Sequence, residues 1–212
     1  MVVLGSCCQG ALGPDCTREK VMNSPANMNR RVVLAGLAML LCAWCPSGWA
    51  QSSPASGTRT KLRILVINGP NMNLLGRRQP EIYGKTTLDD INGRMKKLAA
   101  ELGVDVVFFQ SNSEGAIVDT FQEHIDDMDG AIINAAGYSQ HSIAIHDVIK
   151  AMPFPTVEVH VSNIASRDAL HQADVIMPAV RGTVLGMGPE GYLMALRGLV
   201  NILKEEAAAK HK

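Results

Sequence analysis

The sequence predicts a single α/β domain built on a five-stranded parallel sheet, and two observations carry this prediction. From Lys61 onward, apolar runs of three to six residues alternate with longer amphipathic stretches that have helical spacing. The runs are nearly continuous in Val, Ile and other apolar residues, which is typical of strands covered on both faces. Strands that alternate with helices along a chain form a parallel sheet with helices on both sides.

Local signals place each element. The predicted strands are residues 62–67, 104–109, 130–133, 156–159 and 175–177. The predicted helices are residues 87–102, 114–127, 142–151 and 189–209. In the first helix, Thr87 and Asp90 have the spacing of a capping box, and Gly103 follows the last turn. Pro153 stops the third helix, and Pro189 opens the last one.

The amino-terminal region has the three-part layout of a secretory signal peptide. Basic residues at Arg30 and Arg31 precede an apolar core over residues 32–44, and Gly48 and Ala50 form a small-residue cleavage site. The core is too short for a spanning helix of about 20 residues. We therefore predict an upstream extension of doubtful status at 1–27, a signal peptide at 28–50 cleaved after Ala50, a flexible tether at 51–60 and a folded domain at 61–212.

Composition narrows the possible partners of the mature chain. All five cysteines lie within the first fifty residues, so the mature chain is expected to hold no disulfide and no cysteine metal site. It keeps 16 basic and 18 acidic side chains, a net charge of −2. This balance favours neither nucleic acid nor an anionic membrane as a partner, and we predict no stable membrane anchor.

The long segment after the first strand is the strongest candidate for a functional loop. Residues 68–84 are rich in Gly, Pro and Asn, lack hydrophobic periodicity and carry Arg77, Arg78 and Tyr83. Loops of this length inside a compact domain are usually functional. A tyrosine five residues after an arginine suggests a phenol made more acidic by a cation, whereas the alternative is an ordinary surface loop.

Polar residues follow the other predicted strands at their carboxyl ends, where parallel sheets bind ligands. These residues are Asn71, Asn112, Glu114, Asn134, His160, Ser162, Asn163 and Arg167. Each one alone has a structural explanation, such as a turn or a cap. Together on one edge of one sheet, they predict a binding site.

Six motifs along the chain resemble those of type II 3-dehydroquinate dehydratases. They are Ile67-Asn-Gly-Pro-Asn71, Glu81-Ile-Tyr-Gly84, Gln110-Ser-Asn-Ser-Glu-Gly115, Ile133-Asn134, Glu158-Val-His-Val-Ser-Asn163 and Gly188-Pro-Glu-Gly-Tyr192. The resemblance implies a flavodoxin-like three-layer fold with a dehydroquinase-like catalytic domain at 61–212. It also implies a homododecamer built from trimers, 3-dehydroquinate as substrate, and no metal or organic cofactor.

The resemblance also implies roles for particular residues. Tyr83 matches the catalytic base, Arg78 the arginine that favours its phenolate, and Asn71 a residue that helps to stabilise the enolate. His160 matches the general acid, and Glu158 the carboxylate that holds it. Asn134, Val161 and Ser162 match groups that bind the substrate carboxylate, and Asp147 matches an aspartate that reaches a neighbouring subunit's site. Further candidates for contact with the substrate are Gln140, His141, Arg167 and His171.

Two substitutions bear on the substrate. Gln140 stands where the family usually has a histidine, with His141 one place later, and His171 stands where an arginine usually holds the ring hydroxyls. Both can still form hydrogen bonds. The alternatives are a lyase for a related hydroxy acid, or a non-catalytic exported paralogue that binds a cyclic hydroxy acid.

The signal peptide and the resemblance together predict a location. Biosynthesis of aromatic amino acids is cytoplasmic, so an exported dehydratase is expected to act in the periplasm on dehydroquinate made from quinate. The alternative is a cytoplasmic enzyme whose first fifty residues are wrongly assigned.

Overall fold

The structure, a computed structural model, describes residues 60–78 and 84–210. The predicted extension, the signal peptide and nearly all of the tether lie outside the described residues, as do Gln79 and Tyr83.

The described residues form the predicted five-stranded parallel sheet. Its strands are β1 (Arg63–Asn68), β2 (Asp105–Gln110), β3 (Gly130–Asn134), β4 (Thr156–His160) and β5 (Gly182–Leu185). They lie in the order β2-β1-β3-β4-β5, and every neighbouring pair is parallel. This is the doubly wound order of flavodoxin-like folds, so the predicted fold class is confirmed.

The helices are α1 (Leu88–Leu102), α2 (Glu114–Glu123), α3 (Ile143–Ala151), α4 (Ala169–Gln172) and α5 (Glu190–Lys210). The predicted capping box is present in α1: the Thr87 side chain accepts from the Asp90 amide, and the Asp90 carboxylate accepts from the Thr87 amide. Ser142 caps α3 in a similar way through the Ile145 amide. No helix among the described residues is both long and apolar enough to cross a membrane.

Two apolar layers lie on opposite faces of the sheet because side chains alternate along each strand. Ile64 and Val66 of β1 pack towards α1 and α5, where Leu196 is fully buried. Leu65 and Ile67 pack towards α2 and α3, where Phe121 is fully buried. Both faces of β1 and β3 are therefore covered, which explains their nearly continuous apolar runs.

The prediction for the fifth strand was wrong. Residues 175–177 lie in a loop and the start of a short 3-10 helix, and β5 instead begins at Gly182. Ile176 is fully buried from that loop, which gives its segment the apolar character of a strand. As an edge strand, β5 is only partly buried, so it carries no continuous apolar run.

The second helix is shorter than predicted, because α2 ends at Glu123 and residues 124–127 form turns. Asp127 instead accepts a hydrogen bond from the Arg63 guanidinium at 2.7 Å and pairs with His124 at 2.9 Å. Carboxylates at a helix carboxyl end also oppose the helix dipole, which favours an early end.

The order in which strands are added to the sheet reverses between β1 and β3, and this places a crevice at the carboxyl ends of these two strands. Asn68 and Asn134 are register partners at these ends. The Gly69 amide then donates to the Asn134 carbonyl at 2.8 Å. A Cβ on Gly69 would lie 2.4 Å from the Ala135 carbonyl oxygen, so only glycine allows this approach. In doubly wound sheets this crevice is where ligands bind.

Candidate active site

A cavity of about 150 Å³ lies at the carboxyl ends of β1, β3 and β4. Nine residues predicted from the sequence line it: Asn71, Arg78, Asn134, Gln140, His160, Val161, Ser162, Arg167 and His171. Among the described residues that line the cavity there is no carboxylate, whereas two are arginines. The cavity therefore suits a small, polar and anionic molecule.

The loop after β1 positions Asn71 and Arg78. Asn71 has a left-handed backbone with φ 64°, and its amide donates to the Asn112 side chain at 2.9 Å. A short 3-10 helix, Met72–Leu74, follows and buries Met72 beneath the loop. Arg78 lines the cavity, whereas Arg77 lines a separate surface groove. Of these two adjacent arginines, only Arg78, which the resemblance had singled out, is among the residues that line the cavity.

His160 ends β4 and is held by buried carboxylates. Its Nε2 atom lies 3.0 Å from Glu158 Oε1, and Glu158 is fully buried two positions earlier on the same strand. Asp174 Oδ2 lies 3.3 Å from the same Nε2 atom, and the Asp174 side chain is 4% exposed. Glu158 therefore contacts His160, the histidine to which the resemblance assigned it, and Asp174 is a second carboxylate at the same nitrogen.

This cluster favours a charged His160 ring. Burial opposes the imidazolium, but the attraction of the Asp174 and Glu158 carboxylates outweighs it and raises the pKa of His160 to about 9. Burial also raises the pKa of Glu158, against the lowering effect of His160. At neutral pH the ring can donate a proton.

Asn134 is fixed by a buried tyrosine. Its Nδ2 atom donates to the Tyr192 hydroxyl at 3.0 Å, and that hydroxyl donates to Asn68 Oδ1 at 2.6 Å. Asn134 Oδ1 accepts from the Ala136 amide at 3.2 Å, which helps hold Ala136 at a φ of 50°. The Asn134 side chain has two N–H groups, and one of them donates to Tyr192, so the other remains for a ligand in the cavity.

The substituted positions also lie at the cavity. Gln140 donates to the Ser139 hydroxyl at 2.7 Å, which fixes its amide beside the cavity. His171 lies in α4 and contacts the Asp168 carboxylate through Nδ1 at 2.8 Å. Asp168 has a lowered pKa, chiefly because of this hydrogen bond. Both side chains are thus positioned where a substrate's polar groups would lie.

Two predicted residues lie elsewhere. His141 is exposed and stacks edge-on against Tyr138, and Asp147 is exposed on α3. Neither is among the described residues that line the cavity of this chain. The role predicted for Asp147 lies in a neighbouring subunit's site, and the roles of both residues stay predictions.

Sequence reasoning missed Asp174 and the role of Tyr192. Asp174 precedes the segment that was misinterpreted as a strand, so it was not placed beside His160. Tyr192 was part of a motif but received no structural role. Its complete burial is visible only in the structure, where a buried tyrosine hydroxyl needs partners.

Comparisons with known proteins agree on one family. The model of the family described as dehydroquinase class II matches residues 62–200, more than half of the chain. The chain is 46% identical over 149 residues to a 3-dehydroquinate dehydratase of Campylobacter hominis, covering 70% of this chain and 96% of that one. It is 48% identical over 151 residues to one of a Sulfurovum species, covering 71% and 93%. The type II dehydroquinase structure from Propionibacterium acnes is 40% identical with a TM-score of 0.64, covering 66% of this chain and 99% of that one.

Proposed function

The chain belongs to the class II dehydroquinase family, and from this we propose that it is a 3-dehydroquinate dehydratase. Such a hydro-lyase removes water from 3-dehydroquinate to give 3-dehydroshikimate, a step of the shikimate pathway. The observation that carries the proposal is the geometry of one cavity, where His160, held by two buried carboxylates, lies with Asn71 and Arg78 from the loop after β1. This arrangement offers an acid and anion-binding groups in one place.

Proton abstraction is assigned to Tyr83. The chain has three tyrosines, and the two that are described are engaged elsewhere. The Tyr138 hydroxyl donates to the Asn112 carbonyl at 2.7 Å. Tyr192 is fully buried, and burial raises its pKa well above the ordinary value, so it stays neutral. Tyr83 is the remaining phenol, five residues beyond the cavity-lining Arg78.

The proposed reaction is an anti elimination through an enolate. The Tyr83 phenolate, favoured by the positive charge of Arg78, takes the proton next to the ketone. The electron pair moves onto the ketone oxygen, and Asn71 helps to stabilise that enolate. His160 then gives its proton to the departing hydroxyl, which leaves as water while the carbon–carbon double bond forms. Tyr83 then releases its proton to solvent and His160 takes one up from solvent, which restores the starting state of both groups.

Substrate binding is assigned to the remaining lining residues. Asn134, with the backbone of Val161 and Ser162, is proposed to bind the substrate carboxylate. Gln140, Arg167 and His171 are proposed to contact the ring hydroxyls. Gln140 stands where the family usually has a histidine, and His171 stands where it usually has an arginine. These two replacements favour either an altered affinity for 3-dehydroquinate or a related hydroxy acid as the substrate.

We expect the purified mature protein, residues 51–212, to convert 3-dehydroquinate without added metal and in the presence of a chelator. The conjugated enone of dehydroshikimate absorbs in the ultraviolet, so the reaction can be followed directly. Quinate and other cyclic hydroxy acids lacking the ketone serve as controls, because they have no acidified proton to remove. If no enone forms at high protein concentration while dehydroquinate still binds by calorimetry, the non-catalytic alternative replaces this proposal.

We also propose that the mature protein is exported and oligomeric, with a periplasmic role in quinate catabolism. The signal-like segment at residues 28–50 supports export, and the exposed Asp147 on α3 supports a contact between subunits. We expect a protein that starts near Gln51 in the periplasmic fraction, with a native mass near that of a dodecamer. Amino-terminal sequencing and light scattering measure both. An uncleaved cytoplasmic protein would instead support a role in the biosynthesis of aromatic amino acids. The native mass of a monomer would contradict the proposed dodecamer.

A further inference from the structure

A second carboxylate contacts the proposed general acid from outside its own strand. Asp174 lies between α4 and β5, fourteen residues after His160. Its Oδ2 atom lies 3.3 Å from His160 Nε2. Within the described part of the chain, neither Asp174 Oδ2 nor Glu158 Oε2 has an aligned hydrogen-bond partner, although both side chains are buried. Buried carboxylates without such partners depend on a nearby cation, and His160 is that cation.

The segment that carries Asp174 is firmly fixed. Asp174 Oδ1 accepts hydrogen bonds from the amides of Ile176 at 3.0 Å and Met177 at 2.9 Å. The Val175 amide donates to the Ser139 carbonyl at 2.8 Å. His146 Nδ1 lies 2.7 Å from the Val175 carbonyl oxygen, which ties the segment to α3. Oδ2 is therefore held at His160 by the backbone around it.

We propose that Asp174 is a positioning residue that acts with Glu158 to keep the ring of His160 oriented and protonated for the elimination. This inference rests on the proposed function. With Nε2–H directed at the two carboxylates, Nδ1–H is the proton left for the departing hydroxyl. After that transfer the ring stays in the Nε2–H form, because the carboxylates accept from that nitrogen.

The surroundings of His160 shift its pKa in opposite directions. Glu158 of β4 and Asp174 favour the imidazolium, whereas burial of the ring disfavours it. Arg78 and Arg167 line the same cavity, and their positive charge also disfavours the imidazolium. Removing one carboxylate should therefore lower the pKa of His160, so that a larger fraction of the ring is neutral imidazole near neutral pH. A single carboxylate would face both the burial and the cavity's cations.

The test compares Asp174→Asn with wild type by proton NMR of the histidine rings. Asparagine keeps the Oδ1 acceptor for the Ile176 and Met177 amides but removes the charge. The chain has six histidines, and the His160 signal is the one lost in His160→Gln. We expect the His160 titration midpoint to fall by about one pH unit or more. Asp119→Asn, an exposed carboxylate on α2, is the matched control and should leave it unchanged.

The same variants give a kinetic readout. A general acid works only while protonated, so activity falls as pH rises through the His160 pKa. Losing the Asp174 charge lowers that pKa, so the alkaline limb of kcat/KM should move to lower pH by the same shift. At pH values where the ring is protonated in both proteins, any remaining loss of kcat measures the contribution of Asp174 to the orientation of the ring. A merely structural role would instead lower activity equally at every pH.

The outcomes separate this inference from the proposed function. The ring titration needs no substrate, so it decides the role of Asp174 even if dehydroquinate is not converted. An unchanged midpoint in Asp174→Asn overturns the inference. If that variant does not fold, the wild-type midpoint decides: a value at or below about 6.5, that of a free histidine, overturns it as well.

Discussion

Replacing His160 with glutamine is expected to lower kcat by about 10²–10⁴-fold, the usual contribution of a general acid. Glutamine keeps an N–H that can reach Glu158, but it has no proton acidic enough to give to a leaving hydroxyl. KM should change much less, because the other residues that line the cavity remain. Steady-state kinetics by enone absorbance measures both constants.

The folding stability of His160→Gln has to be measured together with its kinetics, because the charge of His160 compensates the charges of two buried carboxylates. Removing one partner of a buried charged group costs about 3–5 kcal/mol of folding free energy. Thermal unfolding followed by circular dichroism shows whether the variant is folded at the assay temperature. His124→Gln is the control, since His124 pairs with Asp127 away from the cavity. A folded His160→Gln enzyme with near-wild-type kcat would refute the assignment.

The sequence predicted the central strands well because their burial leaves little freedom. β1, β3 and β4 are covered on both faces, so their positions are almost all buried, and the polar residues that follow mark their ends. Topology then brings those ends together. This is why Asn71, Asn134 and His160 were placed at one site although they are far apart in sequence.

The edge of the sheet was harder to predict for a physical reason. β5 has one neighbour and partial burial, and Gly182 and Thr183 weaken its apolar pattern. The loop before it buries Ile176 completely. A short apolar run indicates that a segment is buried, but it does not distinguish a strand from a loop. For this reason the loop at residues 175–177 was predicted as the fifth strand.

Contacts made by loops were beyond sequence reasoning. Asp174 reaches His160 only because its segment is tied to Ser139 and His146, two contacts with no local signature. The bond between Asn134 and Tyr192 joins residues 58 positions apart. Sequence motifs supplied the candidate residues, whereas the geometry of these contacts depends on tertiary packing.

Tyr83→Phe is expected to fold normally and lose nearly all turnover, by about 10²–10⁴-fold or more, because only the proposed base is removed. A free phenol, with a pKa near ~10, is a poor base at neutral pH, so the wild-type residue depends on a nearby cation. Arg78 lines the cavity and is the cation nearest to Tyr83 along the chain among the residues that do so. The measurement is kcat for 3-dehydroquinate, with substrate binding followed separately by calorimetry.

Tyr138→Phe is the matched control for this prediction, because it removes the same hydroxyl from a residue outside the cavity lining. That hydroxyl donates to the Asn112 carbonyl, so its loss should cost about 1 kcal/mol of stability and little turnover. Dehydroquinate should still bind to Tyr83→Phe, since the groups assigned to its carboxylate are intact. Binding without turnover identifies Tyr83 as the base. If Tyr83→Phe keeps wild-type kcat, proton abstraction must belong to another group, and the proposed elimination loses its first step.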